Sequence, residues 1–425
     1  MGPVKKEDLL QFIWKMRLFN QNNLRTTDGE TITILKPGHQ NTNAGPDFSD
    51  ARIKIGEAVW AGTVEVHINS KQWFEHRHDK DDAYSTVILH VVYEHDITNF
   101  HIPTLALKEY IDPRYFEQYQ RMMETADWIP CQRNLEQIQL EKLPGWLEFL
   151  AVERIENKSQ RLLSTLNSNT NNWEQTAWQL LARSMGNPVN AEPMEQLAMR
   201  VPIKFIRKIG GDRKTIEALL LGAGGFLKGP FNEIGPNQLQ SIYKHQKTKH
   251  NIDELEPQIW KFGRMRPAHF PTLRISQLAD IVSRAPSLMS LFLNSSMKSL
   301  QKSLSGEAAS YWSEHYHFKQ SAKNKHLKTG VGMTESIIIN SVVPLVLLFG
   351  KMMDEDDKIS HAIDLLSSLP SEKNSIIRKW RKLNINANNA AESQALIQLY
   401  KDYCNNRRCL SCRIGFSVLN KICYI

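Results

Sequence analysis

The chain has 425 residues, 41% hydrophobic and 23% charged, an ordinary globular mixture that excludes a fibrous or disordered chain and allows two or three domains with real cores. Five cysteines exclude a disulfide framework and point to a reducing cytoplasm, and the first stretch mixes charged and apolar residues with no secretory pattern. The net charge of +8 is uneven: residues 1–130 hold 14 Lys+Arg against 19 Asp+Glu (−5), and the remainder 39 against 26 (+13), which suits a cation site backed by a polyanion-binding body.

Glu7 to Phe19 predicts an amphipathic helix, with Leu10, Ile13, Trp14 and Arg17 spaced for one face. Thr31–Leu35 reads as a short strand ended by Pro37-Gly38, and His39–Pro46 as polar loop. Ala51–Ile55 and Val59–Asn69 alternate as strands around a Gly56-Glu57 turn. In the second of these, Glu65, His67 and Asn69 share one face and Val64, Val66 and Ile68 the other. Trp73–Tyr84 predicts a loop with a short helical piece. Thr86–Tyr93 is almost continuously apolar, a central strand buried on both faces, and residues 101–110 add an edge strand. Beyond Trp128 the period turns helical, over 141–165, 173–186, 192–208, 213–222, 235–247, 274–304, 334–349, 359–368 and 390–403. The most apolar run, Ile337–Phe349, contains Asn340, Ser341 and Pro344. It falls short of the roughly 20 residues that span a bilayer and predicts a buried helix kinked at Pro344, so no membrane partner is expected.

Pro46-Asp47 and Glu65-Val66-His67 flank the first hairpin. The pair Glu65 and His67, two residues apart on a strand, can address one ion, and carboxylate-held divalent metal suits phosphodiester hydrolysis. A plain turn and a solvated strand face account for the same residues. A second cluster, Trp73-x2-His76-x-His78-x2-Asp81-x2-Tyr84, suits Zn2+ or Mn2+, lines the first site, or forms a polar loop. His90, inside an apolar strand, must find a partner. It is a satisfied core histidine or, with His76 and His78, part of a mononuclear zinc hydrolase site. Cys404-x4-Cys409-x2-Cys412, with Cys131 or Cys423 as a fourth thiol, suits a [4Fe–4S] cluster or a structural Zn2+, or leaves free thiols. Arg264, Arg266 and Arg274, interleaved with Phe262, His269 and Phe270, suit phosphate contact and base stacking, or packing between helices.

The helix–three strands–helix–strand order around Pro-Asp and acid-x-His resembles the PD-(D/E)xK nuclease superfamily. The resemblance implies an α+β fold: a restriction-endonuclease-like αβββαβ domain over residues 1–127, an all-helical region over 128–403, and a cysteine-rich segment 404–425 packing back on the body. It implies a nuclease acting on DNA or RNA, with Asp47 and Glu65 holding Mg2+ or Mn2+ and Glu7 as a further acid. His67 stands where the superfamily has Lys, as water-orienting group or extra ligand, and His76, His78, Asp81 and His90 lie around the site. The cysteine set resembles the iron–sulfur staple of AddB-type and CRISPR-adaptation exonucleases. The alternative is a non-catalytic binding protein on a degenerate nuclease fold. Across its length the chain also resembles an uncharacterised, chiefly Bacteroidota family with a domain of unknown function, through NAGPDF (43–48), WAGTVEVHINSKQW (60–73), VILHVVYEHD (87–96), RMRPAHFPTLR (264–274) and RRCLSC.

Overall fold

The protein is described by a computed structural model over residues 6–137, 143–318, 320–321 and 327–420. The chain forms two compact units, residues 1–146 with 399–425 and residues 147–398. Together they make a mixed α+β protein, a small sheet domain and a large helical region.

The first unit opens with α1 (Lys6–Met16), whose Leu9, Leu10, Ile13 and Trp14 are fully buried. The helix stops before Phe19 because Arg17 turns left-handed (φ 54°) and Leu18 N–H then closes on Ile13 O at 2.9 Å. Six strands follow: β1 (Ile32–Lys36), β2 (His39–Gln40), β3 (Phe48–Ile55), β4 (Ala58–Asn69), β5 (Val87–Glu94) and β6 (Thr104–Ala106). The sheet order is β1-β3-β4-β5-β6, with β2 also on β3. β1, β3 and β4 pair antiparallel, whereas β4–β5 and β5–β6 are parallel. Gly56 turns the β3–β4 hairpin at φ 58°. The hairpin end of β4 is exposed and its second half is buried, so the long strand runs from solvent into the centre of the sheet. The crossover to β5 carries the short helix α2 (Gln72–Glu75) and two 3-10 turns. α3 (Arg114–Glu124) follows the sheet.

The C-terminal stretch belongs to this same unit. Phe416 packs edge-on to Phe12 with ring centroids 5.9 Å apart, and Tyr400 stacks on Trp128 at 4.8 Å.

The helical unit has its own core, with Trp178 and Trp312 fully buried. Each buried indole is satisfied: Trp178 donates to Val201 O (2.9 Å), Trp260 to Gly224 O (2.8 Å) and Trp312 to Glu217 Oε1 (2.8 Å). The span expected as one helix over 192–208 is two, Asn187–Arg200 and Ile203–Ile209, because Pro202 precedes the second. The span 274–304 is three helices. It breaks at Pro286 and again where Ser287 and Ser296 cap the next helix through their hydroxyls. Ser375–Lys382 is a helix and His315–Ser321 carries a small antiparallel pair; the periodicity had marked neither.

The apolar run forms part of a continuous helical stretch, Val331–Met353, long and apolar enough by length and composition to cross a membrane, with 67% of its most apolar window buried. A π-helical turn over Ile338–Val342 precedes Pro344, which sits in the first turn of the next helix.

Gly222 marks the tightest approach in this unit. A Cβ there would stand 2.1 Å from the Tyr243 ring. Gly222→Ala is therefore expected to destabilise the protein by about 1–3 kcal/mol through overpacking, read as a lowered midpoint in chemical denaturation; an unchanged midpoint would show that the two helices move apart freely.

Candidate metal centre

The centre is built on the buried half of β4. Alternation puts Glu65 and His67 on one face, 4% and 1% exposed. The parallel register sets Glu65 beside His90 of β5, and His90 is fully buried. His67 Nδ1 and His90 Nε2 share a hydrogen bond of 2.9 Å. When His67 keeps Nε2 as a free electron pair, its Nδ1–H donates to His90, the arrangement that fixes the tautomer of a ligating histidine.

The crossover supplies two more imidazoles. Gln72 starts it by accepting Asn69 N–H at 2.8 Å. Arg77 takes a left-handed conformation (φ 62°) between His76 and His78, an uncommon state for a side chain with a Cβ. That bend turns both rings toward β4. His76 Nδ1 lies 3.2 Å from His67 Nε2, and Glu65 Oε1 lies 3.4 Å from His67 Nε2 and 3.3 Å from His78 Nε2. The ligand nitrogens of His67, His76 and His78 all fall within 4.8 Å of one another. Ligands held at about 2.0–2.1 Å by a tetrahedral ion stand roughly 3.3–3.4 Å apart. The three imidazoles thus come together as ligands of one ion would, while Glu65 lies against His67 and His78 and outside the group that includes His76. His67 is buried, His78 half-buried and His76 exposed, so the cluster opens to solvent on the His76 side.

The rest of the aromatic–histidine string serves as scaffold. Tyr84 stacks on His78 with centroids 3.7 Å apart. Buried Trp73 sits edge-on to His78 and His90, both at 5.4 Å. Asp81 is exposed and accepts Ala83 N–H at 3.0 Å, capping the second 3-10 turn.

Asp47 stands beside the cluster. The NAGP loop folds on Asn41, whose amide donates to Ala44 O (3.2 Å) and Pro46 O (3.1 Å). Asp47 then exchanges bonds with β4: its N–H donates to Glu65 Oε2 (3.0 Å), and its Oδ2 accepts Val66 N–H (3.0 Å). Sequence reasoning missed two glutamines here. Gln11 hydrogen-bonds Asp47, and Gln72 reaches Glu7 Oε2 at 3.4 Å. The spacing Glu7–Gln11, one helical turn, is the signal that could have found the first.

Burial dominates the electrostatics. It pushes the Glu65 carboxyl up to about 8, with Asp47 and Glu7 adding repulsion against the Asp47 N–H bond. It raises Asp47 to about 6, opposed by Val66 N–H. It drives His67 down to about 2, helped by His90, His76 and His78, and His90 to about 3, helped by His78 and His95. The imidazoles resist protonation, the state a bound cation needs in a histidine ligand, whereas burial keeps the Glu65 carboxyl protonated near neutral pH, so a cation bound there would displace its proton.

Residues 7–375 match the family model described as protein of unknown function, DUF2851. The chain belongs to this family. No curated protein and no solved structure matches it. The centre lies wholly within the matched DUF2851 residues, whereas Cys404, Cys409 and Cys412 lie beyond them. These three and Cys131 are buried and free; Cys423 lies outside the described residues. Arg264 and Arg266 are exposed on the helical unit. Arg274 is not: it is 4% exposed, and its guanidinium bonds Gln277 Oε1 (2.8 Å) and His269 Nδ1 (2.9 Å), so it packs the interior and offers no surface to phosphate.

Arg77 gives a test of the scaffold. Arg77→Gly is expected to leave stability unchanged or raise it by up to about 1 kcal/mol, because glycine meets the left-handed conformation without strain. Arg77→Pro, restricted to φ near −65°, is expected to lower the melting temperature; equal melting of the two variants would show that the bend is not required.

Proposed function

We propose that this protein is a divalent-metal-dependent phosphodiesterase acting on nucleic acid, with a mononuclear centre held by Glu65, His67, His76 and His78. The observation that carries the reading is the convergence of three imidazole nitrogens within 4.8 Å of one another, with Glu65 Oε1 at 3.4 Å from His67 Nε2 and 3.3 Å from His78 Nε2. Three imidazoles with one carboxylate suit Zn2+ or Mn2+ better than Mg2+, which prefers an all-oxygen shell. In this assignment His67 is a ligand rather than the water-orienting group, and His90 supports it from behind. The ion would polarise a water and the phosphoryl oxygen on the open His76 side. Asp47, raised by burial with repulsion from Glu7 and Asp8 added, would accept a proton beside the ion or, with Glu7, hold a second cation.

Two features favour a phosphodiester substrate. The element order, with Pro-Asp ahead of the central strand and an acid-x-His within it, resembles the PD-(D/E)xK nucleases, and this part of the reading is fold-level analogy. A groove of about 1430 Å3 runs along α1 and the C-terminal segment, where Lys15, Arg407, Arg408 and Arg413 outnumber the acids Asp8 and Glu124. Gln11, which also lines it, hydrogen-bonds Asp47 and so connects the groove to the centre. Basic side chains along a groove are the footprint of a polyanion.

The test combines metal binding with cleavage. Wild type should bind one Mn2+ per chain by electron paramagnetic resonance and cut linear or single-stranded DNA or RNA. Glu65→Gln and His78→Ala should lose both. His90→Ala should weaken Mn2+ binding about 10–100-fold, the usual cost of losing a group behind a ligand. Cleavage at equal rates in all variants would reject the site. Stoichiometric binding that is lost in His78→Ala, with no cleavage of any nucleic acid and steeply salt-dependent retention of it, would favour a non-catalytic binding protein instead.

A further inference from the structure

Four cysteines meet elsewhere in the first unit, and none takes part in the Glu65–histidine centre. Cys131 closes the buried turn Ile129-Pro130-Cys131, where its carbonyl accepts Asn134 N–H at 3.0 Å. The other three come from one short stretch more than two hundred residues later. Cys404 ends a π-helical turn, Cys409 opens a 3-10 turn, and Cys412 immediately precedes the helix Arg413–Asn420. All four are buried and none is in a disulfide. Arg407 straps the two stretches together by donating to Met122 O (3.0 Å) and Thr125 O (2.8 Å). Gly415 lets the loop close: a Cβ there would stand 2.1 Å from Cys409 O.

The four buried thiols act on one another electrostatically. Beyond the cost of burial, Cys404 is raised by Cys131, Cys412 and Cys409; Cys409 by Cys131 and Cys412; and Cys131 by Cys412. Every pair is therefore within electrostatic reach. The N–H groups of Ile414 and Gly415 are hydrogen-bonded to the Cys412 sulfur, an arrangement that favours a thiolate at a helix N-terminus. Four thiols used only as small apolar fillers would need neither mutual convergence nor N–H donors.

We propose that Cys131, Cys404, Cys409 and Cys412 ligate a [4Fe–4S] cluster that ties the C-terminal segment to residues 122–131. The spacing separates this from zinc. Four thiolates around one Zn2+ at about 2.3 Å stand roughly 3.8 Å apart. Among the described residues, the His67–His76–His78 nitrogens form a three-atom group within 4.8 Å, and no three of these sulfurs do. A cubane carries each thiolate on a different iron and so needs the wider cage. The cluster would also fix Arg407, Arg408 and Arg413 along the groove that they line.

The full chain, purified anaerobically or reconstituted with ferrous iron and sulfide, should hold about four irons and four acid-labile sulfides and show a broad absorbance near about 400 nm. Cys131→Ser and Cys409→Ser should each remove most of that band and reduce iron at least fourfold. The wild-type iron and sulfide assay stands even if the variants fold poorly. One zinc per chain with no iron after reconstitution, or four cysteines titrating as free thiols with no metal, would overturn the proposal, as would full iron retained in Cys131→Ser. Iron content and absorbance are read without any substrate, so this outcome is independent of whether the Glu65–histidine centre cuts nucleic acid.

Discussion

A polar layer inside the sheet governs the first unit. Glu65, His67 and His90 sit at the centre of the parallel β4–β5 pair, where strands of this kind otherwise carry Val, Ile and Leu. Burying a carboxyl and two imidazoles costs about 1–3 kcal/mol for each polar group left unpaired, so the surroundings must answer them. Asp47 N–H takes one Glu65 oxygen, His78 and His67 face the other, and the two strand histidines bond each other. An apolar layer of the same volume would be no less stable.

The surrounding elements follow from that need. β4 continues past the hairpin as a long strand because its inner half must reach mid-sheet. The crossover bends sharply at Arg77 so that two histidines return over the strand they left. Trp73 and Tyr84 pack against these rings and restrict their rotation. Ligands on a strand and a short strapped loop are held more closely than ligands on a free loop, while exposure of His76 keeps one side of the cluster open. The same unit gathers the C-terminal segment, so the groove arginines and three of its four buried cysteines are supplied by residues distant in sequence from the sheet.

The helical unit obeys a plainer rule. Its core is chiefly apolar, and its buried indoles each find an acceptor. Half-buried Glu174 shows how charge is handled there: it accepts the N–H groups of Leu288 and Met289 and pairs with Arg207 at 2.7 Å. Arg274 is tied to neutral partners, and burial lowers it to about 10. These are features of packing between helices.

What could be read from the chain was whatever repeats locally. Alternation over Val59–Asn69 put Glu65 and His67 on one face, because side chains on a strand point up and down every two residues. The helical period located most of the helices beyond Trp128, and it failed where proline or a serine cap breaks a helix without disturbing the apolar spacing, as at Pro202 and Ser296. Packing decided the rest. Whether Asp47 turns to the cluster or to Val66 N–H, whether His90 lies beside His67, whether Arg274 faces solvent, and whether Cys131 meets Cys404, Cys409 and Cys412 all depend on strand register and on contacts between segments far apart in the chain. Periodicity is a property of neighbouring backbone units. Register and long-range convergence come from the shape of the whole core, which no short window of sequence contains.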